Sequence, residues 1–304
     1  MTSTQAVGKI RYALQAQKAG HGGTLDPLAS GVLPIALGEA TKTVNFAQDA
    51  LKTYEFTVTW GEQRSTDDAE GEVINASDKR PTLEEIEKIL PEFIGSIEQI
   101  PPQFSAIKID GERAYDLARD GEQVEIKARE VYVENLFILP QAGKPATAGQ
   151  HKTKFQCLCG KGTYIRSIAR DMGQKLGCFG YISTLTRTKV GSMNLESAIS
   201  LDIFEEMIDN PEQEKDLSGI LLPLQTTLDD IPVLALKEQE WLALKNGNAL
   251  SLLSKPDLSR LEKIGIDWKS DDCFTALATF EGTAIAMVET FGAKIQPVRV
   301  FNLT

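Results

Sequence analysis

The stretch KAGHGGTLDPLASGVLPIALGEATK, residues 18–42, places an aspartate, Asp26, between a leucine and a proline in a glycine-rich and mostly apolar segment. A carboxylate held in such a segment can act as a nucleophile or can stabilise positive charge that develops on a substrate. The residues alone leave two interpretations open. Aspartate before proline commonly forms a turn, whereas several glycines allow a ligand to approach the backbone closely. The four glycines around Asp26 are Gly20, Gly22, Gly23 and Gly31.

Motifs for nucleotide, hydrolase and metal chemistry are absent or weak. The patterns G-x-x-x-x-G-K-[ST] and G-x-G-x-x-G after a strand do not occur, and neither His21 nor His151 lies in a nucleophile motif. Cys157 and Cys159, with His151 and Cys178 nearby, would allow a zinc site, but C-x-C is not the usual C-x-x-C spacing. A spacing of two places both thiols on one face of a strand. We therefore predict buried strand thiols and no metal.

Charge is distributed unevenly along the chain. The formal net charge is −11, yet residues 151–190 carry eight lysines and arginines and one acid, a net charge of +7. Residues 201–230 carry nine acids and one lysine, a net charge of −8. Nucleic-acid affinity depends on local cationic surface more than on the total charge. The basic segment is equally consistent with an RNA-binding surface and with an ordinary solvated face.

Hydrophobic periodicity predicts the elements that would position Asp26. Residues 1–20 are predicted to form one helix, which Gly20 ends. The alternation in TYEFTVTW, residues 53–60, predicts a strand with Tyr54 on its apolar face. The acidic run GEQRSTDDAEGEV that follows is predicted to be a solvated loop or hairpin.

Further along, two segments predict helices. PTLEEIEKILPEFIG contains a capping box of Thr82 and Glu85 before an apolar stripe. KFQCLCGKGTYIRSIARDMGQKLG predicts a strand, a glycine turn and a helix on which Arg166 and Arg170 share one face, because they are four residues apart. Beyond the acid-rich segment, one helix and several short strands predict a compact, mostly β module.

The sequence carries no membrane or secretion signal. No apolar run approaches the roughly 18 residues of a membrane-spanning helix, and no signal-peptide pattern opens the chain. The composition, 42% hydrophobic and 25% charged, is typical of globular proteins. We expect a cytoplasmic protein without a membrane partner.

The segment around Asp26 closely resembles the catalytic motif of the TruB-type pseudouridine synthases, the tRNA pseudouridine synthase B family. Five further blocks resemble that family in the same order: MTSTQAV, TYEFTVTWGEQRSTDDAEG, QIPPQFSAIKIDGERAYDLARDG, CGKGTYIRSIARDMGQKLG and STLTRTKVGSM. The resemblance covers nearly the whole chain. It implies the pseudouridine synthase fold of the α+β class, with a mixed, mainly antiparallel central sheet flanked by helices and loops, and a small C-terminal PUA-like, mostly β domain.

The resemblance also implies a reaction. One uridine in the T-loop of tRNA, position 55 in tRNA numbering, is isomerised to pseudouridine without a guide RNA, cofactor or metal. The uracil is cut from its bond to the ribose, turned, and rejoined through carbon 5. The target base lies inside the tRNA elbow, so it must be flipped out first. The expected partner of this monomeric enzyme is therefore tRNA, bound at its T-arm and elbow.

Three catalytic residues follow from the family motifs. Asp26 is the essential carboxylate, and Arg166 is its cationic partner, because an unpaired buried carboxylate takes up a proton. Tyr54 is implied to stack on the uracil and is a candidate for removing the proton from carbon 5. From the residues alone, Tyr54 equally suits a hydrophobic core and Arg166 a solvent-facing basic surface.

Five further residues are implied to bind the substrate. His21 resembles the histidine that fills the space left by flipped bases, and a structural histidine is the alternative. Leu185 is implied to pack against the base, although core packing alone would also explain it. Tyr164 is implied to support the pocket floor. The lysines implied to contact tRNA are Lys18 and Lys161.

Residues 1–230 are predicted to form the catalytic domain, with a mobile RNA-binding thumb at about residues 99–130, and residues 231–304 the PUA-like RNA-binding domain. Family members begin with a strand and a Lys-Pro segment before the MTS block. That segment is expected to be missing here, with the loss of one strand from the sheet.

Two other functions stay open. A guide-RNA-dependent pseudouridylase shares the catalytic motif, but such proteins usually carry a different C-terminal domain and basic tails, unlike the final VRVFNLT. A non-catalytic tRNA-binding protein or RNA chaperone on the same scaffold is the second, and the intact catalytic residues argue against it.

Overall fold

The computed structural model describes residues 1–105, 108–109, 112–113, 126–140, 149–209, 220–228 and 231–302. The chain forms two compact units. The first comprises Met1–Ser3, Gly23–Leu33 and Gln48–Ala198, and the second comprises Thr4–Gly22, Pro34–Ala47 and Ile199–Thr304.

The described helices and strands have the following bounds. The helices are α1 (Ser3–Ala13), α2 (Val44–Asp49), α3 (Leu83–Ile89), α4 (Ile165–Lys175), α5 (Leu201–Asp209), α6 (Glu238–Lys245) and α7 (Lys255–Lys263). Short 3-10 helices cover Gly38–Thr43, Leu90–Phe93 and Leu224–Leu228. The strands are β1 (Ala19–His21), β2 (Ser30–Gly31), β3 (Ile35–Leu37), β4 (Lys52–Trp60), β5 (Glu62–Arg64), β6 (Val73–Ala76), β7 (Gly95–Gln99), β8 (Lys108–Ile109), β9 (Glu112–Arg113), β10 (Arg129–Ile138), β11 (Lys152–Cys159), β12 (Gly180–Val190), β13 (Met193–Asn194), β14 (Val233–Ala235), β15 (Leu250–Ser251), β16 (Cys273–Phe280), β17 (Thr283–Phe291) and β18 (Lys294–Val300).

The first unit is built on a seven-stranded sheet. Its order is β13-β12-β4-β11-β10-β7, each neighbouring pair is antiparallel, and β2 pairs with β12 in parallel. The predicted mixed, mainly antiparallel central sheet is thus confirmed. The strand predicted at 53–60 is β4, and its alternation buries Phe56, Val58 and Trp60 on the core side.

Helix α4 closes the core of this unit. Its apolar residues at helical spacing are buried together with the rings of Phe56 and Phe155, which stack with their centroids 5.3 Å apart. The predicted strand, turn and helix from residue 154 to Gly177 are confirmed, and Gly177 takes the left-handed φ of 65° that ends many helices. The buried stripe of α4 consists of Ile165, Ile168 and Met172, and Leu176 follows it.

Helix α3 begins at the predicted capping box. The Glu85 amide donates to the Thr82 hydroxyl at 3.1 Å, and the Thr82 amide donates to the Glu85 carboxylate at 2.8 Å. These two bonds satisfy backbone donors that the first helical turn leaves unpaired. The chain then tightens into a 3-10 helix that begins at Leu90, next to Pro91, as expected where proline removes a helical donor.

The first helix is shorter than predicted. It ends at Ala13 rather than at Gly20, because Gln15 adopts a left-handed φ of 50°. The Ala16 amide then donates to the Arg11 carbonyl at 3.0 Å, which is the closing bond of a Schellman motif. Glycine is the residue favoured at such a position, and here a glutamine takes it, so the prediction from Gly20 was wrong.

The second unit contains a five-stranded sheet in the order β14-β16-β17-β18-β15. The hairpin predicted to turn at Glu281 and Gly282 is present, and both residues have the positive φ of a tight two-residue turn. The predicted helix before Gly247 is α6, whereas α7 was not predicted. The mostly β character of this region is confirmed. The division into compact units differs from the boundary at residue 230, and a separate RNA-binding domain at 231–304 stays a prediction.

Several predictions fall wholly or partly outside the described residues. Half of the predicted thumb at 99–130 lies there, although β8 and β9 pair on either side of the expected turn. Cys157 and Cys159 are described, and both are buried on β11 as predicted. In the described parts of the chain, no helix is long and apolar enough to cross a membrane, and no group of three His, Cys, Asp or Glu side chains could hold a metal ion.

The stripe on α4 allows a test of the first core. Ile168→Ala removes a fully buried side chain and should lower the free energy of unfolding by about 2–5 kcal/mol. Gln174→Ala, exposed on the same helix, should change it by less than about 0.5 kcal/mol. Urea unfolding followed by the fluorescence of Trp60, in a background with Trp241→Phe and Trp268→Phe, reports on this unit. Equal effects of the two alanine substitutions would contradict the packing described.

Candidate active site

Asp26 and Arg166 form an ion pair in the first unit. The Arg166 Nε donates to Oδ2 of Asp26 at 2.8 Å. The side chain of Arg166 is 5% exposed, whereas that of Asp26 is 30% exposed. The carboxylate is therefore held from the protein side by a buried cation, and part of it still faces solvent. The pairing that the family motif implies is present.

The remaining donors of Arg166 fix its orientation. Nη1 donates to the Thr66 carbonyl at 3.1 Å, and Nη2 donates to the Phe104 carbonyl at 3.0 Å. A second carboxylate, Asp68, lies 3.6 Å from Nη1 and is itself buried. Burying a guanidinium is costly unless its charge and its donors are all matched. Here each guanidinium nitrogen has a partner, so Arg166 forms a rigid base for Asp26.

The acidic run after β4 is not solvated as predicted. It forms the expected hairpin, since β5 pairs with β6, but Asp67 and Asp68 at its tip are buried. Asp67 accepts from Nη1 of Arg170 at 3.1 Å, and Asp171 accepts from Nε of the same arginine at 2.8 Å. Two buried arginines on one face of a helix need acidic partners. The spacing of four between Arg166 and Arg170 was therefore a signal in the sequence that some acids would be buried beside them.

The environment of Asp67 changes its acidity. Burial raises the pKa of its carboxyl to about 6, because removal from water destabilises the ionised form by more than Arg170 and Arg166 stabilise it. Burial also raises the pKa of Asp171, against the opposing effect of Arg170. Asp67 is therefore not a simple surface charge, and its protonation is coupled to folding near neutral pH.

The backbone around Asp26 reconciles the two interpretations of this segment. The Ala29 amide donates to the Asp26 carbonyl at 2.9 Å, which closes a turn with Pro27 in its favoured second position. Asp26 is thus a turn residue through its backbone and an ion-pair partner through its side chain. Just before it, the Leu25 amide donates to the Ser3 hydroxyl at 2.9 Å.

The tightest contact of the glycine-rich loop is with strand β12 of the same chain. Gly31 has a φ of 104°, and a Cβ added there would lie 2.2 Å from the carbonyl oxygen of Arg187. Only glycine lets β2 lie this close to β12. At least this glycine therefore serves contact with the adjacent strand, not contact with a ligand.

Two tyrosines lie near the ion pair. Tyr54 is on β4 directly opposite Arg187 of β12. Burial raises the pKa of the Tyr54 hydroxyl, Arg187 opposes this shift, and the Asp26 charge adds to it. Tyr164 precedes α4, and its amide donates to the Gln99 side chain at 2.8 Å. Burial raises the pKa of Tyr164 as well, and Asp26 again contributes.

The other predicted site residues lie in different surroundings. Leu185 is 6% exposed, opposite Phe56 in the core of the first unit. Lys161 is exposed and pairs with Asp49 at 2.7 Å. His21 and Lys18 belong to the second unit, where His21 is half-buried on β1 and Lys18 is exposed.

The basic segment at 151–190 does not form one cationic surface. Its arginines are turned inward: Arg166 and Arg187 are buried, and Arg170 is mostly buried against Asp67. Three of its five lysines pair with acids, namely Lys154 with Glu55, Lys161 with Asp49 and Lys175 with Glu92. Sequence charge counts could not separate these roles, and they missed Arg187 as a buried residue.

In this site a buried arginine holds a partly exposed aspartate, and two tyrosines lie nearby. The site is consistent with the class of protein that the family models define. Residues 11–165 match the N-terminal domain of the TruB family pseudouridylate synthases. Residues 166–229 match the tRNA pseudouridylate synthase B C-terminal domain. The chain belongs to the TruB family of pseudouridylate synthases.

Individual relatives agree with this assignment over the full chain. The tRNA pseudouridine synthase B of Caulobacter vibrioides is 47% identical over 304 residues, which cover 100% of this chain and 93% of the relative. The tRNA pseudouridine synthase B of Bradyrhizobium diazoefficiens is 48% identical over 307 residues, which cover 100% of this chain and 83% of the relative.

Solved structures support the fold. A structure of an H/ACA RNP bound to a substrate RNA containing 2'-deoxyuridine matches with a TM-score of 0.69 at 21% identity, over 100% of this chain and 82% of that chain. A Cbf5-Nop10-Gar1 complex matches with a TM-score of 0.66 at 22% identity, over 99% and 81%. Together with the family models, these likenesses confirm the predicted pseudouridine synthase fold with its β-rich C-terminal region.

The raised pKa of Asp67 predicts a pH effect on stability. Since the folded protein binds this proton more tightly than the unfolded chain, raising the pH from 5 to 7 lowers the free energy of unfolding of the wild type. Asp67→Asn lacks this titration. Between pH 5 and pH 7 its free energy of unfolding should therefore rise by on the order of 1 kcal/mol relative to that of the wild type.

Urea unfolding at several pH values measures this difference. Asp78→Asn, at an exposed position in the same unit, is the control. A difference between wild type and Asp67→Asn that stays constant with pH, or that changes with the opposite sign, would show that burial does not favour the protonated carboxyl.

Proposed function

We propose that this protein isomerises uridine to pseudouridine at position 55 in the T-loop of tRNA, without a guide RNA. The relatives named tRNA pseudouridine synthase B, at 46–48% identity over almost the whole chain, support this substrate. The observation that carries the proposal is the 2.8 Å ion pair between a buried Arg166 and a partly exposed Asp26.

In the proposed reaction, Asp26 attacks the substrate or stabilises positive charge at the sugar or base as the bond to the ribose breaks. The bidentate-capable guanidinium of Arg166 favours the ionised carboxylate through its charge and its hydrogen bond. The turn at Pro27 and the bond from Leu25 to Ser3 hold the backbone, so that little reorganisation is needed during the reaction. The detached uracil then turns and rejoins through carbon 5.

Tyr54 is proposed to act on the base. It lies on the core side of β4, near enough to Asp26 for the two groups to affect each other. Its ring would stack on the uracil, and its hydroxyl oxygen would take the carbon 5 proton in the last step. The hydroxyl would at the same time give its own proton toward the uracil, whose N1 lost its bond to the ribose and is protonated in pseudouridine. Tyr164 would support the pocket floor. Leu185 would pack against the base, although its present contacts are those of a core residue.

The tRNA is proposed to be bound at its T-arm and elbow. His21 would fill the space left by flipped bases, and Lys18 and Lys161 would contact the RNA. The thumb at 99–130 and a PUA-like domain at 231–304 would extend this contact. A tRNA-modifying enzyme of this kind would act in the cytoplasm, as a monomer and without a membrane partner.

The two alternatives predict different behaviour. A tRNA-binding protein without catalysis has no need of a carboxylate fixed by a buried arginine, so the Asp26–Arg166 pair favours an enzyme. A guide-dependent pseudouridylase would be inactive on tRNA alone. The relatives' names favour the guide-independent activity.

Asp26→Asn tests the proposed carboxylate. With unmodified tRNA transcript and no guide RNA, wild type should form pseudouridine at the T-loop, and Asp26→Asn should form none while it still binds tRNA. Asp49→Asn, at an exposed acid paired with Lys161, is the matched control and should retain activity within about threefold. Equal activity of Asp26→Asn and wild type would remove Asp26 from the mechanism.

Tyr54→Phe tests the proton acceptor separately from stacking. Phenylalanine keeps the ring but lacks the hydroxyl, so tRNA binding should stay within about threefold, and product formation should fall by about 10²–10⁴-fold. Release of tritium from tRNA labelled at carbon 5 of uridine measures the step directly. Tritium release at the wild-type rate would assign the proton transfer to another group.

A further inference from the structure

Arg187 is buried in the central sheet and has no role in the proposal above. It is 1% exposed, and it is among the largest fully buried side chains of the protein. A guanidinium in such a place must have strong partners, because its desolvation is costly. None of the ion pairs among the described residues of the first unit includes Arg187. Its partners must therefore be of another kind.

The partners are backbone carbonyls of the loop that carries Asp26. Nη2 donates to the Gly23 carbonyl at 2.9 Å, and Nη1 donates to the Thr24 carbonyl at 3.4 Å. Nε donates to the Val32 carbonyl at 2.8 Å. One side chain therefore binds the loop both before and after the catalytic position, and so fixes both ends of the segment between them.

The backbone of Arg187 binds the same loop. Its carbonyl accepts from the Val32 amide at 2.8 Å, and Arg187 pairs with Gly31 where β2 joins β12. The close approach at Gly31 is thus an approach to Arg187 itself. Five donors in a fixed fork suit a guanidinium for three separate carbonyls, and a lysine ammonium on a flexible chain cannot reproduce that geometry.

The charge of Arg187 also reaches the proposed proton acceptor. Tyr54 lies opposite Arg187 across the β4–β12 pair, and Arg187 lowers the pKa of its hydroxyl through both its charge and a hydrogen bond, against the larger effect of burial. The same charge affects the neighbouring Lys52. The pKa of its ammonium is lowered to about 8, mainly by burial and next by the charge of Arg187. A positive charge that forms no ion pair with a carboxylate in the described part of the first unit is therefore held beside Tyr54.

We propose that Arg187 is a positioning residue of the active site, which clamps the loop on both sides of Asp26 and holds a positive charge beside Tyr54. This inference rests on the proposed function. A basic residue of the segment at 151–190 thus acts inside the protein, through the loop and the tyrosine, and not on the phosphates of an RNA.

Arg187→Lys and Arg187→Ala test the clamp. A displacement of about 1 Å at a reacting group costs about 100-fold in rate, so Arg187→Lys should lower kcat by at least 100-fold while KM for tRNA changes less than threefold. Methylguanidinium added to Arg187→Ala should restore kcat at least tenfold. The matched control is Arg80→Lys, in the same unit, where Arg80 donates to the carbonyls of Ser77 and Lys79 and not to the Asp26 loop.

A second measurement needs no turnover. Hydrogen exchange of peptides covering residues 22–33 should be at least tenfold faster in Arg187→Lys than in wild type or Arg80→Lys, because the loop loses its clamp. If wild type forms no pseudouridine, the proposed function fails, and loop exchange alone then decides whether Arg187 clamps the loop. A kcat of Arg187→Lys within threefold of wild type, or unchanged loop exchange, would overturn the inference. So would a fall in kcat that only matches the loss of folded protein.

Discussion

The buried guanidinium of Arg166 is the contact on which the site depends. Its charge is matched by Asp26 and Asp68, and its Nη1 and Nη2 donate to the carbonyls of Thr66 and Phe104. Such an arrangement costs desolvation energy and is stable only when every partner is in place. The position of Asp26 therefore depends on helix α4, on the hairpin after β4 and on the loop at once, and an exposed carboxylate would have no such support.

Several parts of the site could be predicted from the sequence, and the reasons differ. Strand β4, helix α3 and helix α4 have strong local signals: a two-residue alternation, a capping box and a helical stripe. The partnership of Asp26 with Arg166 came from the family motif and not from periodicity, since 140 residues separate the two. Local patterns alone cannot place residues that far apart in one site.

The errors have two physical causes. The sequence predicts a solvated acidic hairpin, and it leaves the basic segment open between an RNA-binding surface and a solvated face, because charge is usually exposed. In the structure Asp67, Arg170 and Arg187 are buried or mostly buried through contacts between distant segments. The length of α1 was overestimated because Gln15, and not a glycine, takes the left-handed position. In each case a tertiary contact or an uncommon backbone conformation overrides the average preference of the residue type.

The most direct test of the central claim is a crystal structure of the protein bound to tRNA. It should show the T-loop target base flipped into the first unit, in contact with the open side of Asp26, while Oδ2 still accepts from Arg166. A base bound away from Asp26, or an Arg166 turned away from the carboxylate toward the RNA, would contradict the account.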